Sequence, residues 1–302
     1  MIPAVVLAGY AILVGVTVPS LLSRARWPHR APVLAVFVWH GLMATFVVTT
    51  ALSVHHVMHA APHAHDGFVG LLIGCALTDH APAGGTAPVS VDALAFVVPM
   101  VIVLLPFGWL LYCAWRARRA RRRHLDALAL VGEPAPELGA TVVDYGVPAV
   151  YCLPGRCRRV VITRGALDVL SEAQLRAVLE HERAHIEGRH HLLQVLVEAF
   201  SRAFPGLPLA RYAKEQTALL VEMIADDRAL RLHPREVLAT AMCEVGSAPA
   251  PQAALGAGGA GTLIRLRRVL IPQSRPHRAA WLGGVAATVV GALLPFLMAC
   301  GL

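Results

Sequence analysis

Four stretches of this sequence, residues 2–22, 31–54, 91–115 and 279–302, are almost free of charge, and each is as long as a membrane-spanning helix. About 20 apolar residues rising 1.5 Å apiece cross the ~30 Å hydrocarbon core. Backbone inside that core must bond to itself, so each stretch is expected as a helix. With 56% hydrophobic and 15% charged residues among 302, the composition agrees. The chain is therefore mainly α and polytopic, with one polar block at residues 116–278. The first stretch has no basic residue ahead of its apolar run and no small-residue cleavage site after it, which marks a retained span rather than a signal peptide.

Arginine placement orients the spans, because basic loops stay cytoplasmic while acidic residues contribute little. Arg24, Arg26 and Arg30 fill the first connection, whereas residues 55–90 contain no Lys or Arg. Arg116, Arg118, Arg119, Arg121, Arg122 and Arg123 follow the third span, and Arg265, Arg267, Arg268, Arg275 and Arg278 precede the fourth. All fall on one side, which predicts both termini outside and the polar block in the cytoplasm. Most of the net charge of +8 thus lies beside lipid headgroups, so membrane lipid is the expected partner and direct nucleic-acid binding is not.

The six cysteines, at 75, 113, 152, 157, 243 and 300, form no framework on the outer side, and no disulfide is expected. Cys152 and Cys157 flank a Leu153-Pro154-Gly155-Arg156 turn; a single such pair is weak evidence for a metal and equally fits small hairpin residues. The outer segment 55–90 carries His55, His56, His59, His63, His65 and His80 and is expected as a polar loop, with metal binding or acid sensing as the alternative. His40, inside the second span, is expected to pack within the bundle.

Within the polar block, residues 125–138 mix apolar and acidic residues with Gly132, Pro134 and Pro136, the pattern of a helical turn ending in a loop. Residues 141–145, 149–151 and 159–163 are short β-branched and aromatic runs between Gly/Pro turns, predicting a small antiparallel sheet. Ser171 and Gln174 form a possible capping box, and the apolar spacing after them predicts a strong helix running through Phe200 and stopping near Pro205. Another helix is expected over about 212–232, and the Ala/Gly/Pro-rich segment 248–261 as a surface loop.

The strong helix carries His181-Glu182-Arg183-Ala184-His185. Residues four apart share a helix face, so both imidazoles can reach one ion while Glu182 projects beside it as a base. A catalytic zinc needs a third protein ligand and an open position, and Glu222 on the later helix supplies the carboxylate. Asp226, one turn on, is placed to accept a hydrogen bond from the outer nitrogen of a histidine ligand. One Zn2+ per chain is therefore expected on His181, His185 and Glu222, with Glu182 catalytic. Tyr212, His190, His191 and Arg228 are all candidates to steady a developing oxyanion, and the sequence does not choose among them.

Taken together, residues 161–167, 175–182 and 222–226 resemble the BlaR/MecR-type membrane metallopeptidases, which are gluzincin-like enzymes. The resemblance covers the polar block and the surrounding spans. It implies a cytoplasmic α+β zincin-type domain, a bacterial plasma-membrane location and cleavage of a cytoplasmic protein, a BlaI/MecI-like repressor. Because the chain stops at Leu302, it is expected as a shortened form without an outer penicillin-binding sensor domain. Two other functions stand beside this one: membrane-protein quality control by the same chemistry, and a non-catalytic signalling scaffold whose metal is structural.

Overall fold

The structure, a computed structural model, describes residues 2–60, 91–155, 159–246, 260–271 and 277–299. Among the described residues, helix α1 (Ile2–Leu22) is the first of four helices long and apolar enough to cross a membrane. Pro19 has no amide hydrogen to return to the preceding turn, and residues Leu13–Thr17 widen into a π turn just ahead of it. A short basic turn leads into α2 (Pro32–Ala60). His63, His65, His80 and Cys75, within the expected outer loop, lie outside the described residues, as do Cys157 and Cys300.

Helix α3 (Val91–Val131) is one 41-residue helix and does not end at Trp115. The arginine cluster and most of the expected linker continue it, because no strong breaker intervenes before Gly132. Four strands follow: β1 (Gly132–Ala135), β2 (Ala140–Val143), β3 (Val150–Leu153) and β4 (Arg159–Thr163), in the order β1-β2-β4-β3.

Two expectations are corrected here. The sheet is mixed rather than antiparallel, since β2 runs parallel to β4 while the outer pairs are antiparallel. The chain passes from β2 to the far edge as β3 and returns as β4 between them, a choice of neighbour that strand patterning does not encode. Strand β1 occupies what the sequence reads as loop; its proline is compatible with an edge strand, where some amides have no ladder partner. Gly139, at a φ of 62°, reverses the chain between β1 and β2.

Helix α4 (Arg164–Val169) is capped by Thr163, whose hydroxyl accepts the Ala166 amide. Helix α5 (Glu172–Glu187) begins with the predicted capping box: the Gln174 side chain accepts the Ser171 amide at 2.7 Å, and the Ser171 hydroxyl accepts the Gln174 amide. It stops at Gly188 instead of running on to Phe200. Arg189, in the left-handed region at φ 50°, turns the chain into a separate helix, α6 (His190–Ala203). Helix α7 (Pro208–Ala229) begins four residues before the expected start, at a proline whose missing amide costs nothing in a first turn. Then come α8 (Arg235–Gly246), α9 (Ala260–Leu270) and the fourth apolar helix, α10 (Arg278–Ala299). Of the segment expected as a loop, 248–259 lies outside the described residues.

The sheet rests on α5: Val160 and Ile162 of β4 share a buried cluster with Leu175, Leu179 and Ile186. A second cluster joins this domain to the spans. Trp39 and Met43 of α2 and Val14 of α1 pack with Phe200 of α6 and Leu209, Leu220 and Met223 of α7. Phe46, near the middle of α2, meets Phe200 and Phe204 edge-on at 6.2 and 5.4 Å. The α6–α7 hairpin thus lies alongside the spans, and the helix carrying Glu222 is one wall of that contact.

Candidate metal centre

A helical turn apart on α5, His181 and His185 bring their Nε2 atoms to 3.1 Å. From α7, Glu222 sets Oε2 3.4 Å from His181 Nε2 and Oε1 3.4 Å from His185 Nε2. Donors 2.0–2.1 Å from a tetrahedral zinc stand roughly 3.3 Å from one another. The two Glu222 contacts use different oxygens, and one ligand atom from each of the three residues lies within 4.8 Å of the others, so a small adjustment of the side chains lets one ion take all three. Among the described residues they are the one group of three or more His, Cys, Asp or Glu donors gathered this closely.

Asp226 is 1% exposed, and its Oδ1 lies 3.0 Å from His181 Nδ1, close to the position that the sequence predicts but without hydrogen-bond alignment. The sequence does not predict what holds Asp226. Arg265 of α9 donates Nε to Asp226 Oδ2 at 2.9 Å and Nη2 to Oδ1 at 2.8 Å, while its Nη1 reaches Glu222 Oε2 at 2.8 Å. Read from sequence as a membrane-flanking charge, Arg265 instead has only 12% of its side chain exposed. One turn on, Arg268 bonds both carboxylate oxygens of Asp227 and the backbone carbonyl of His29. The signal was a pair of arginines three apart on one face of a short amphipathic helix, matching two adjacent aspartates.

The outer side of His185 also has a partner: His190 Nδ1 stands 2.9 Å from His185 Nδ1. With His185 Nε2 turned to the metal position, its Nδ1–H donates and His190 accepts. The turn at Gly188 and Arg189 makes this possible, and a side chain at Gly188 would strike the His190 ring. Two of the other oxyanion candidates are otherwise engaged. Arg228 pairs with Glu180 and Glu187, and Tyr212 packs in the cluster against the spans. His191 lies in the field of Arg121 and Arg189.

Glu182 faces the edge strand, where the backbone amide and the thiol of Cys152 point at its carboxylate. Burial, then the charge of Glu182, push the Cys152 thiol up, which keeps it protonated in the metal-free site. Burial also raises Glu182, with the Glu222 charge adding to it against the pull of His181. A carboxylate raised in this way is a better proton acceptor.

Charge in the metal-free site is divided. Burial works against a proton on His181, but its contacts with Asp226 and Glu222 outweigh that and raise it to about 10. His185 is lowered to about 4 by burial, with Glu222 opposing and His181 reinforcing. Burial alone would raise Glu222, yet His181 and Arg265 hold it down at about 2. Asp226, likewise buried, is held below the ordinary carboxylate range by Arg265 and His181. A metal entering this site must therefore displace one proton, the one on His181.

Residues 114–239, less than half of the chain, match the family described as Peptidase family M48, whose members are zinc metalloproteases. The chain is also similar to a "Protease HtpX homolog" of Methanothermobacter thermautotrophicus, with 38% identity over 79 residues, 25% of this chain and 30% of that protein. It thus spans under a third of the length of the curated relative it matches. No solved structure matches. These similarities support a membrane-associated metallopeptidase of M48 type and carry nothing specific to the BlaR/MecR type.

Proposed function

We propose that this chain is a membrane-anchored, zinc-dependent endopeptidase that cuts extended protein segments beside the bilayer, with its catalytic block on the cytoplasmic face. The observation that carries the proposal is the convergence of His181, His185 and Glu222, with a ligand atom from each within 4.8 Å of the others and Glu182 beside His181 in the chain. A zinc ion held by His181, His185 and Glu222 would supply Lewis acidity toward a scissile carbonyl and would make a water molecule nucleophilic near neutral pH. Glu182 accepts the proton of that water on its carboxylate and delivers it to the departing amide nitrogen. Asp226 fixes the tautomer and orientation of His181, His190 does so for His185, and Arg265 orients Glu222.

Substrate binding falls to β3, an edge strand whose Cys152 amide points toward Glu182 rather than into the ladder. An extended peptide added along this edge gains backbone hydrogen bonds with little demand on its side chains. Such loose specificity, and a Glu222 helix packed on α2, support membrane-protein quality control. The HtpX-type relative supports it as well, whereas cleavage of a BlaI/MecI-like repressor rests on the resemblance alone. Glu182 beside the first histidine speaks against a scaffold with structural zinc, which has no use for a base there.

The test uses the full chain in detergent, as wild type and Glu182→Gln, with labelled casein as substrate. Equal zinc in both, with casein cleavage lost by 10²-fold or more in the variant, is the expected result. Equal cleavage overturns the assignment.

A further inference from the structure

We infer that α1, α2 and α10 hold a structural binding site for one diacyl anionic phospholipid. Between these helices lies a cavity of about 860 Å3, walled by residues such as Leu13, Val14, Leu34, Leu42 and Ala287. The hydroxyls in its wall are already committed. Tyr10 donates to the Gly291 carbonyl at 2.9 Å, Thr45 to Gly41 and Thr288 to Gly284, both at 2.8 Å. Its depth thus offers a ligand no free donor and favours a hydrocarbon chain.

The mouth is different. Trp27, Arg30 and His277 line it, and Arg30 also lines an adjoining groove of about 460 Å3 with Arg278, Trp281 and Leu282. Tryptophans and arginines at span ends sit at headgroup depth. Asp227, the carboxylate lining this groove, is bonded twice to Arg268. Arg30, His277 and Arg278 form no ion pair among the described residues. Two apolar slots therefore flank one arginine, the arrangement that two acyl chains under a single anionic headgroup require.

The cavity lies within the 300–1,000 Å3 range of small-molecule sites.

Native mass spectrometry of the delipidated full chain, with dioleoylphosphatidylglycerol or dioleoylphosphatidylcholine added back, tests the site without any need for peptidase activity. Wild type is expected to retain one phosphatidylglycerol in preference to phosphatidylcholine. Arg30→Gln with Arg278→Gln should weaken phosphatidylglycerol binding roughly thirtyfold and leave phosphatidylcholine unchanged. Ala287→Phe, which fills the cavity and keeps every charge, should lower both, so the site stays testable if the double variant misfolds. Equal retention of the two lipids by wild type, phosphatidylglycerol binding indifferent to the substitutions, or a second polypeptide seated in the groove each overturns the inference.

Discussion

Asp226 is pulled from two sides, by the His181 ring at 3.0 Å and by the fork of Arg265 at 2.8 and 2.9 Å. Asp226→Asn keeps the shape and removes the charge that both partners need. Zinc affinity should fall 10- to 100-fold, read by competition against a chelator of known affinity. His190→Ala should lower it by a similar factor through His185, while His191→Ala should leave it unchanged. Arg265→Gln leaves buried Asp226 and Glu222 with His181 as the cation between them, one positive charge short, and the apo protein should lose about 3 kcal/mol of stability in denaturant melts. The histidine pair also sets a pH optimum for the metal-free protein. His181 is raised, so its contribution is complete below 6.5 and disappears as pH climbs toward about 10. His185 is lowered, so its contribution is complete above 6.5 and disappears as pH falls toward about 4. Thermal stability of the apo protein should therefore peak near pH 6.5, and a profile flat from 5 to 9 would contradict this division of charge.

Helix α5 was legible from its apolar spacing and its capping residues, because both are local: the Ser171 and Gln174 contacts span three positions. Its end was less so. Gly188 is a modest stop signal, and continued helical periodicity beyond it hid the left-handed Arg189 that swings His190 back onto His185. The strands were located but not ordered, and Gly132 with its prolines concealed β1 altogether. Edge position gives β3 a specific test. The Cys152 amide faces Glu182, so Cys152→Pro removes a donor from the outer edge without removing a rung of the ladder to β4. One lost hydrogen bond, about 1 kcal/mol, should lower kcat/KM roughly fivefold with little change in Tm. A collapse of Tm would show that the edge is structural instead.

The spans and the polar block share one core, since Trp39, Phe46 and Met43 pack on the α6–α7 hairpin and Met223 neighbours Glu222 in sequence. The arginine distribution predicts which way this assembly faces. Green fluorescent protein fused after residue 246 should fluoresce, and alkaline phosphatase fused after residue 60 should be active; the reverse pattern would put the metal centre outside. The four apolar helices and the His181–His185 spacing beside Glu182 could be read directly from the chain, because hydropathy and helical period are properties of neighbouring residues. So, by chemical need rather than proximity, could Glu222 and Asp226. Arg265 and His190 could not. Arg265 meets Asp226 across 39 residues, and its charge looks the same in sequence whether it faces lipid or a buried carboxylate. Folding resolves that ambiguity, because burying Asp226 is tolerable only where a cation comes with it.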